Sequence, residues 1–194
     1  MTRRTITALT TIALCVATVT GCGSSSTAKE DPVTTNNSPT PSAAKDPEAV
    51  LRERTSFEAA QQQYTAAVTD AANQIAALVP GVTWTIEENS WRGCGGDFVH
   101  TKGVQAYILA TFSGPTPDPM WQRALGIVEA AATQLGATSA QAMVDRPANH
   151  EVVFSNPDGV EVTFGTAKAT VLSAKSECLL RQKDTSITRS SAAP

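Results

Sequence analysis

The sequence predicts an α+β fold. It consists of one antiparallel sheet of about five strands, with two helices packed on one face, in the order α-β-β-α-β-β-β, and one disulfide. Three observations predict it. Two long segments carry apolar residues at three- and four-residue steps, as amphipathic helices do, and the shorter segments mostly alternate, as half-buried strands do. Strong breakers separate them, above all Asn156-Pro157-Asp158-Gly159. Two of the four cysteines, Cys94 and Cys178, fall inside the patterned region.

The elements follow in order. From Pro47 to Val79, Phe57, Tyr64, Val68, Ala71, Ile75 and Leu78 make one apolar stripe, and Pro80-Gly81 ends it. Val82, Trp84 and Ile86 then alternate with Thr83, Thr85 and Glu87, a half-buried strand that runs to Trp91. Val104 to Phe112 is apolar on both faces, which predicts a central strand. Asp118 is a suitable N-cap with Pro119 at the first helical position. Trp121, Leu125, Val128, Ala132 and Leu135 form the second stripe, which stops at Gly136. His150 to Phe164 is two alternating runs joined by the Asn-Pro-Asp-Gly turn. A last strand from Ala169 ends around Cys178. Trp84 and Trp121 are expected in the core.

The N-terminus reads as an address. Residues 1–21 have Arg3 and Arg4, then an apolar run from Ile6 to Val19, the layout of a secretory leader. The run is too short for a comfortable membrane span of about 20 apolar residues. It closes on Val19-Thr20-Gly21-Cys22, which resembles a bacterial lipobox, so Cys22 is the expected lipidated first residue. Arg3-Arg4 lack the apolar follow-up of twin-arginine export, which favours general secretion. Residues 22–46 are rich in Ser, Thr, Pro and Asn and read as a disordered tether. Residues 47–183 form the domain, and 184–194 a flexible tail. The predicted localisation is the cell membrane, lipid-anchored on the extracytoplasmic side.

The formal charge is −3, and loss of the leader leaves 13 basic residues against 18 acidic. With no basic surplus and no Lys/Arg track, nucleic acid is excluded as a partner.

In an oxidising compartment, with Cys15 discarded and Cys22 lipidated, Cys94 and Cys178 are left to pair. Two alternatives stand beside that bridge. Cys94, Asp97 and His100, spaced by three, offer three zinc ligands, and a free Cys94 offers a nucleophile. There is no G-x-S-x-G, H-E-x-x-H, phosphate loop or dinucleotide fingerprint. Glu87 and Glu88 are adjacent acids on a strand, where neighbours point to opposite faces. His150 reads as a surface or hydrogen-bonded histidine. Trp91, at a strand end, is expected to pack over the disulfide. It is also the aromatic most suited to touching a partner.

The lipobox at Cys22, the tether, Trp91-Arg92-Gly93-Cys94-Gly95-Gly96, Ser155-Asn156-Pro157-Asp158-Gly159 and Cys178 together resemble the LppA-like lipoproteins of mycobacteria. The resemblance runs from the leader to about Leu180. It implies an envelope lipoprotein of the mycobacterial type and carries over Cys22 as a modified position, but no catalytic residue and no cofactor. The expectation is a non-enzymatic binding module that meets the membrane through its lipid and meets an envelope component or protein through Trp91, Asp97 and His100. The alternative is an envelope hydrolase or metal-binding protein built on Asp97 and His100, with Glu88 as a further acid.

Overall fold

The computed structural model describes residues 46–185. The expected leader, Cys22 and most of the expected tether and tail lie outside them. Inside them the fold is α+β, as the sequence predicts: one antiparallel sheet under two long helices. It has six strands rather than about five.

The first helical stretch is two helices, not one. α1 spans Pro47–Arg52 and is capped by Asp46, whose Oδ1 accepts the Glu48 N–H at 3.1 Å. α2 spans Phe57–Leu78 and is capped by Ser56, whose side chain accepts the Ala59 N–H. The break has a tertiary cause. The Phe57 N–H donates to the Leu180 carbonyl at 2.9 Å, and the Arg54 guanidinium donates to the Cys178 carbonyl at 3.0 Å. The Phe57 N–H that would continue the helix is thus spent on the C-terminal segment, and the Arg54 side chain binds the same segment.

β1 (Trp84–Gly93) and β2 (Val104–Phe112) form a hairpin across the Cys94 loop. α3 (Asp118–Gln134) follows. Asp118 is its first residue, not its cap; Pro117 holds the cap position. β3 (Ser139–Arg146) is the strand the sequence does not announce. Nearly all of it is exposed, so it lacks the alternation that marks a half-buried strand. β4 (Asn149–Ser155), β5 (Glu161–Thr166) and β6 (Thr170–Lys175) complete the sheet, in the order β1-β2-β6-β5-β4-β3. A short helix α4 (Gln182–Thr185) begins within the expected domain and runs into the expected tail.

β2 is an inner strand but not apolar-covered on both sides. Only its alternate residues Val104, Ala106, Ile108, Ala110 and Phe112 are buried. Tyr107 and Leu109 face the half-exposed side, where the Arg92 guanidinium lies 4.2 Å over the Tyr107 ring. The buried face of the sheet meets α2 and α3 in one core, with Ile75, Ile108, Val128, Phe164 and Leu172 at its centre. Each such side chain contributes about 1.5–3 kcal/mol of burial. Trp121 is core as expected, stacked on Phe164 with ring centroids 4.9 Å apart. Trp84 is only partly buried, and its Nε1 donates to Asn73 at 3.1 Å. Tyr64 donates to Glu177 at 3.2 Å. Burial first, then the Glu177 charge, pushes its phenol well above the ordinary range.

His150 fastens the β3–β4 hairpin to α3. Its Nδ1 meets Asp145 at 2.8 Å and its Nε2 meets Asp118 at 3.1 Å, while its ring stacks on Trp121 at 4.8 Å. Ala148, in the turn, holds a left-handed φ of 57° and donates its N–H to Asp118 at 2.9 Å. That contact offsets the cost of a Cβ in this conformation.

The Asp118 carboxyl is held below its usual range by the Ala148 N–H first and His150 second. A carboxyl depressed by folding stabilises above its unfolded value, about 3.9, and loses that contribution as pH falls through the folded one. Asp118→Asn should therefore flatten the fall in stability below about pH 4, read from urea melts at stepped pH.

Candidate functional site

The disulfide Cys94–Cys178 joins residues 84 apart, with Cα atoms at 5.7 Å. It sits in a small core of its own with Leu51, Leu180 and Phe98. Gly103 makes room for it. A Cβ there would overlap Cys178 Sγ and lie 2.9 Å from both Cys94 Sγ and Leu51 Cδ1. Arg54 closes the rim, 5.2 Å from the Phe98 ring centroid and 3.6 Å from Asp158. The sequence marks the two cysteines but not Gly103, which reads as an ordinary turn glycine until Cys178 is placed against it.

Trp91 is not the cover of the disulfide; Leu51, Leu180 and Phe98 are. Its side chain is 52% exposed, with the Arg181 guanidinium 4.5 Å over the ring and the same guanidinium 5.8 Å from Phe57. Its position follows from a β-bulge between Ile86 and Glu88. The extra residue, Glu87, shifts the phase of the strand by one. Asn89 and Trp91 thereby sit opposite Ile108 and Ala106 on the helix side, while Glu88, Ser90 and Arg92 turn to the open side. The phase slip is legible afterwards, since Trp91 is out of step with Trp84 and Ile86.

The bulge also overturns the expectation that Glu87 and Glu88 face apart. Thr111, on the open side, donates to Glu87 at 3.3 Å, so both acids reach that face. They do not form an acid/base pair. Arg92 binds Glu88 at 2.7–2.8 Å and Ser90 donates to it at 2.6 Å, which hold its carboxyl down to about 2. Both ring nitrogens of His150 are likewise engaged, Nδ1 by Asp145 and Nε2 by Asp118.

Asp97 lies in a short 3₁₀ turn, Gly96–Phe98, and both Asp97 and His100 are exposed. Among the described residues no three His, Cys, Asp or Glu side chains gather as a metal would require. With Cys94 oxidised, the thiolate needed for the zinc or nucleophile alternative is absent.

Between α2 and β1 lies a shallow, open surface depression of about 550 Å³ lined by Gln61, Gln62, Thr65, Ala66 and Asn89. Its side chains are ordered by one another. Gln61 donates to Asn89 Oδ1 at 2.8 Å, Asn89 donates to Thr65 Oγ1 at 3.1 Å, and Thr65 donates to the Gln61 carbonyl at 2.7 Å. These glutamines fall between the apolar-stripe residues Phe57 and Tyr64, and nothing local marks Asn89 as their partner.

These features define a disulfide-clipped α+β domain with one covered sheet face and a fixed, half-exposed aromatic at its edge. The LppA family, described as a lipoprotein confined to pathogenic Mycobacterium, matches residues 33–182, and the chain belongs to that family. A protein named as lipoprotein LppB in two strains of Mycobacterium tuberculosis, CDC 1551 / Oshkosh and ATCC 25618 / H37Rv, is 25% identical over 144 residues, 69% of this chain. The chain spans 64% of that relative's length. The crystal structure of a protein named as lipoprotein LppA of the same organism superposes with a TM-score of 0.61. It is 21% identical and covers 75% of this chain and 90% of that one, a likeness of fold. No helix among the described residues is long and apolar enough to cross a membrane.

Opening the disulfide in a Cys94→Ser/Cys178→Ser variant should cost about 4–5 kcal/mol, the entropy of a loop this long, in urea melts. Gly103→Ala should cost about 1–3 kcal/mol by overpacking, and less in the background lacking both cysteines. An equal cost in both backgrounds would show that the glycine serves something other than the sulfurs.

Proposed function

We propose that this chain is an envelope lipoprotein held to the cell membrane by a lipid on Cys22, with its domain on the extracytoplasmic side. There it acts as a non-enzymatic binding module whose contact surface is Trp91 with the neighbouring loop residues Asp97 and His100. Membership of a lipoprotein family and the lipobox-like Val19-Thr20-Gly21-Cys22 support the anchor. Two or more acyl chains, at about 0.8 kcal/mol per buried methylene, make such an anchor effectively permanent.

The observation that carries the binding role is Trp91. A large aromatic left half in water would ordinarily be covered, and this one has the Arg181 guanidinium over its ring and sits three residues before the disulfide-clipped Cys94. Ordered, exposed aromatics make strong contact residues because little freedom is left to lose on binding.

Two measurements test the halves separately. Labelled fatty acid should enter the wild-type chain in cells and not Cys22→Ala; labelling of both, or of neither, would remove the anchor. A pull-down from envelope extract should lose its partner with Trp91→Ala. Unchanged capture would remove the contact surface while leaving the anchor standing.

A further inference from the structure

We infer that the disulfide end of the domain docks on the phospholipid bilayer, with Trp91 and Val99 entering the headgroup layer and Arg181 meeting lipid phosphate. The inference rests on the binding-module reading above and names the partner of its Trp91 surface. Three observations carry it: where the chain enters the domain, what is left exposed there, and what one arginine lacks.

The chain enters at the disulfide end. Asp46 caps α1, which packs against the 3₁₀ turn Gly96–Phe98 of the Cys94 loop. Leu51 of α1 lies in the disulfide core with Cys178 and Leu180. The start of α2, the end of β1 and the segment after Cys178 meet at the same end, where Arg181 lies against both Phe57 and Trp91. Residues 23–45 are all that separates Cys22 from that cap. A flexible chain of that length averages about 25–30 Å end to end, so a lipid on Cys22 keeps this end close to the bilayer. Such a leash sets a local concentration in the millimolar range, and a surface of low intrinsic affinity is then enough.

Four large hydrophobic side chains are exposed among the described residues, and two belong to this end: Trp91, and Val99 at 56%. Val99 follows the 3₁₀ turn directly, and Phe98 beside it is packed on the disulfide core, so the backbone that presents Val99 is held. Apolar contact from a held loop loses little entropy on docking. An indole suits the headgroup layer, with an apolar body and one polar N–H.

Arg52, Arg54 and Arg92 each have a carboxylate within 4 Å. Arg181 has none among the described residues. Its guanidinium faces aromatic rings instead, Trp91 at 4.5 Å and Phe57 at 5.8 Å. Stacking engages the plane of the group and leaves N–H groups at its edge, which fit phosphate oxygens in pairs. The arginine over Trp91 is thus part of the surface: an indole in the headgroup layer brings it to phosphate. Net charge adds little. Over residues 46–54, 94–103 and 181–185, five basic side chains are matched by five acidic ones. Zwitterionic phospholipid should therefore suffice, since no basic surplus calls for an anionic surface.

The test uses the chain from Cys22 onward, its Cys22 coupled to a maleimide phospholipid in phosphatidylcholine vesicles, so that the leash does not depend on lipidation in cells. Phosphatidylcholine brominated near the headgroup end of its acyl chains should quench part of the tryptophan emission, and Trp91→Phe should remove that part. Val99→Asp and Arg181→Gln keep all three tryptophans and should each lose most of the quenching. Met143→Asp, at the exposed β3 edge, should lose none. The disulfide state and melting temperature of each variant show that the fold is kept. No quenching in the wild type, equal quenching in Val99→Asp and Met143→Asp, or quenching that appears only with anionic lipid would overturn the inference. If the coupled chain is quenched while labelled fatty acid never joins Cys22 in cells, the docking surface stands and the anchor falls. If quenching fails while the pull-down still depends on Trp91, the contact surface stands, its partner is a protein, and the inference is lost.

Discussion

The Cys94–Cys178 bond and the small core around it decide more of this structure than its size suggests. It binds the loop after β1 to the segment after β6, residues 84 apart, in a pocket floored by Leu51 and Leu180 and opened by Gly103. Fixing that segment lets its carbonyls serve as partners elsewhere. Leu180 takes the first N–H of α2, Leu179 pairs with Val104 at the start of β2, and Cys178 takes Arg54. The division between α1 and α2, the start of β2 and the placement of Arg181 over Trp91 all meet at the segment that this covalent clip joins to the Cys94 loop.

The rest of the fold is a sheet with one covered face, and its two edges are treated differently. The β3 edge buries little and is held by backbone pairing to β4 and by the Asp118–His150–Asp145 cluster that ties its hairpin to α3. With both ring nitrogens bonded and the ring stacked on Trp121, His150 is a fastening. A histidine between two aspartates looks catalytic in a list of residues and structural once its geometry is drawn.

The β1 edge carries the bulge. One extra residue, Glu87, turns Asn89 and Trp91 toward α2 and turns Glu88 and Arg92 away. Without it, Asn89 could not meet Gln61 and Thr65, and the tryptophan would lie on the open face among charges. The surface proposed for binding is thus a product of strand phase.

The sequence by itself determined the fold class, the two long helical stripes, five of the six strands, the Asn156–Gly159 turn and the pairing of the two cysteines inside the domain. These are local or arithmetic properties: periodicity, turn chemistry and parity are written within a few residues or in a count. Only the tertiary structure decided that the first helix breaks before Phe57, that β3 exists, that Glu87 is a bulge, that Asp118 serves His150 rather than capping α3, and that Trp91 faces Arg181 rather than the sulfurs. Each depends on a partner far along the chain. A hydrogen bond from Phe57 to Leu180, a backbone ladder under an exposed strand and an arginine ninety residues from its tryptophan leave no periodic trace, because burial shapes the sequence pattern and such contacts are made with little of it.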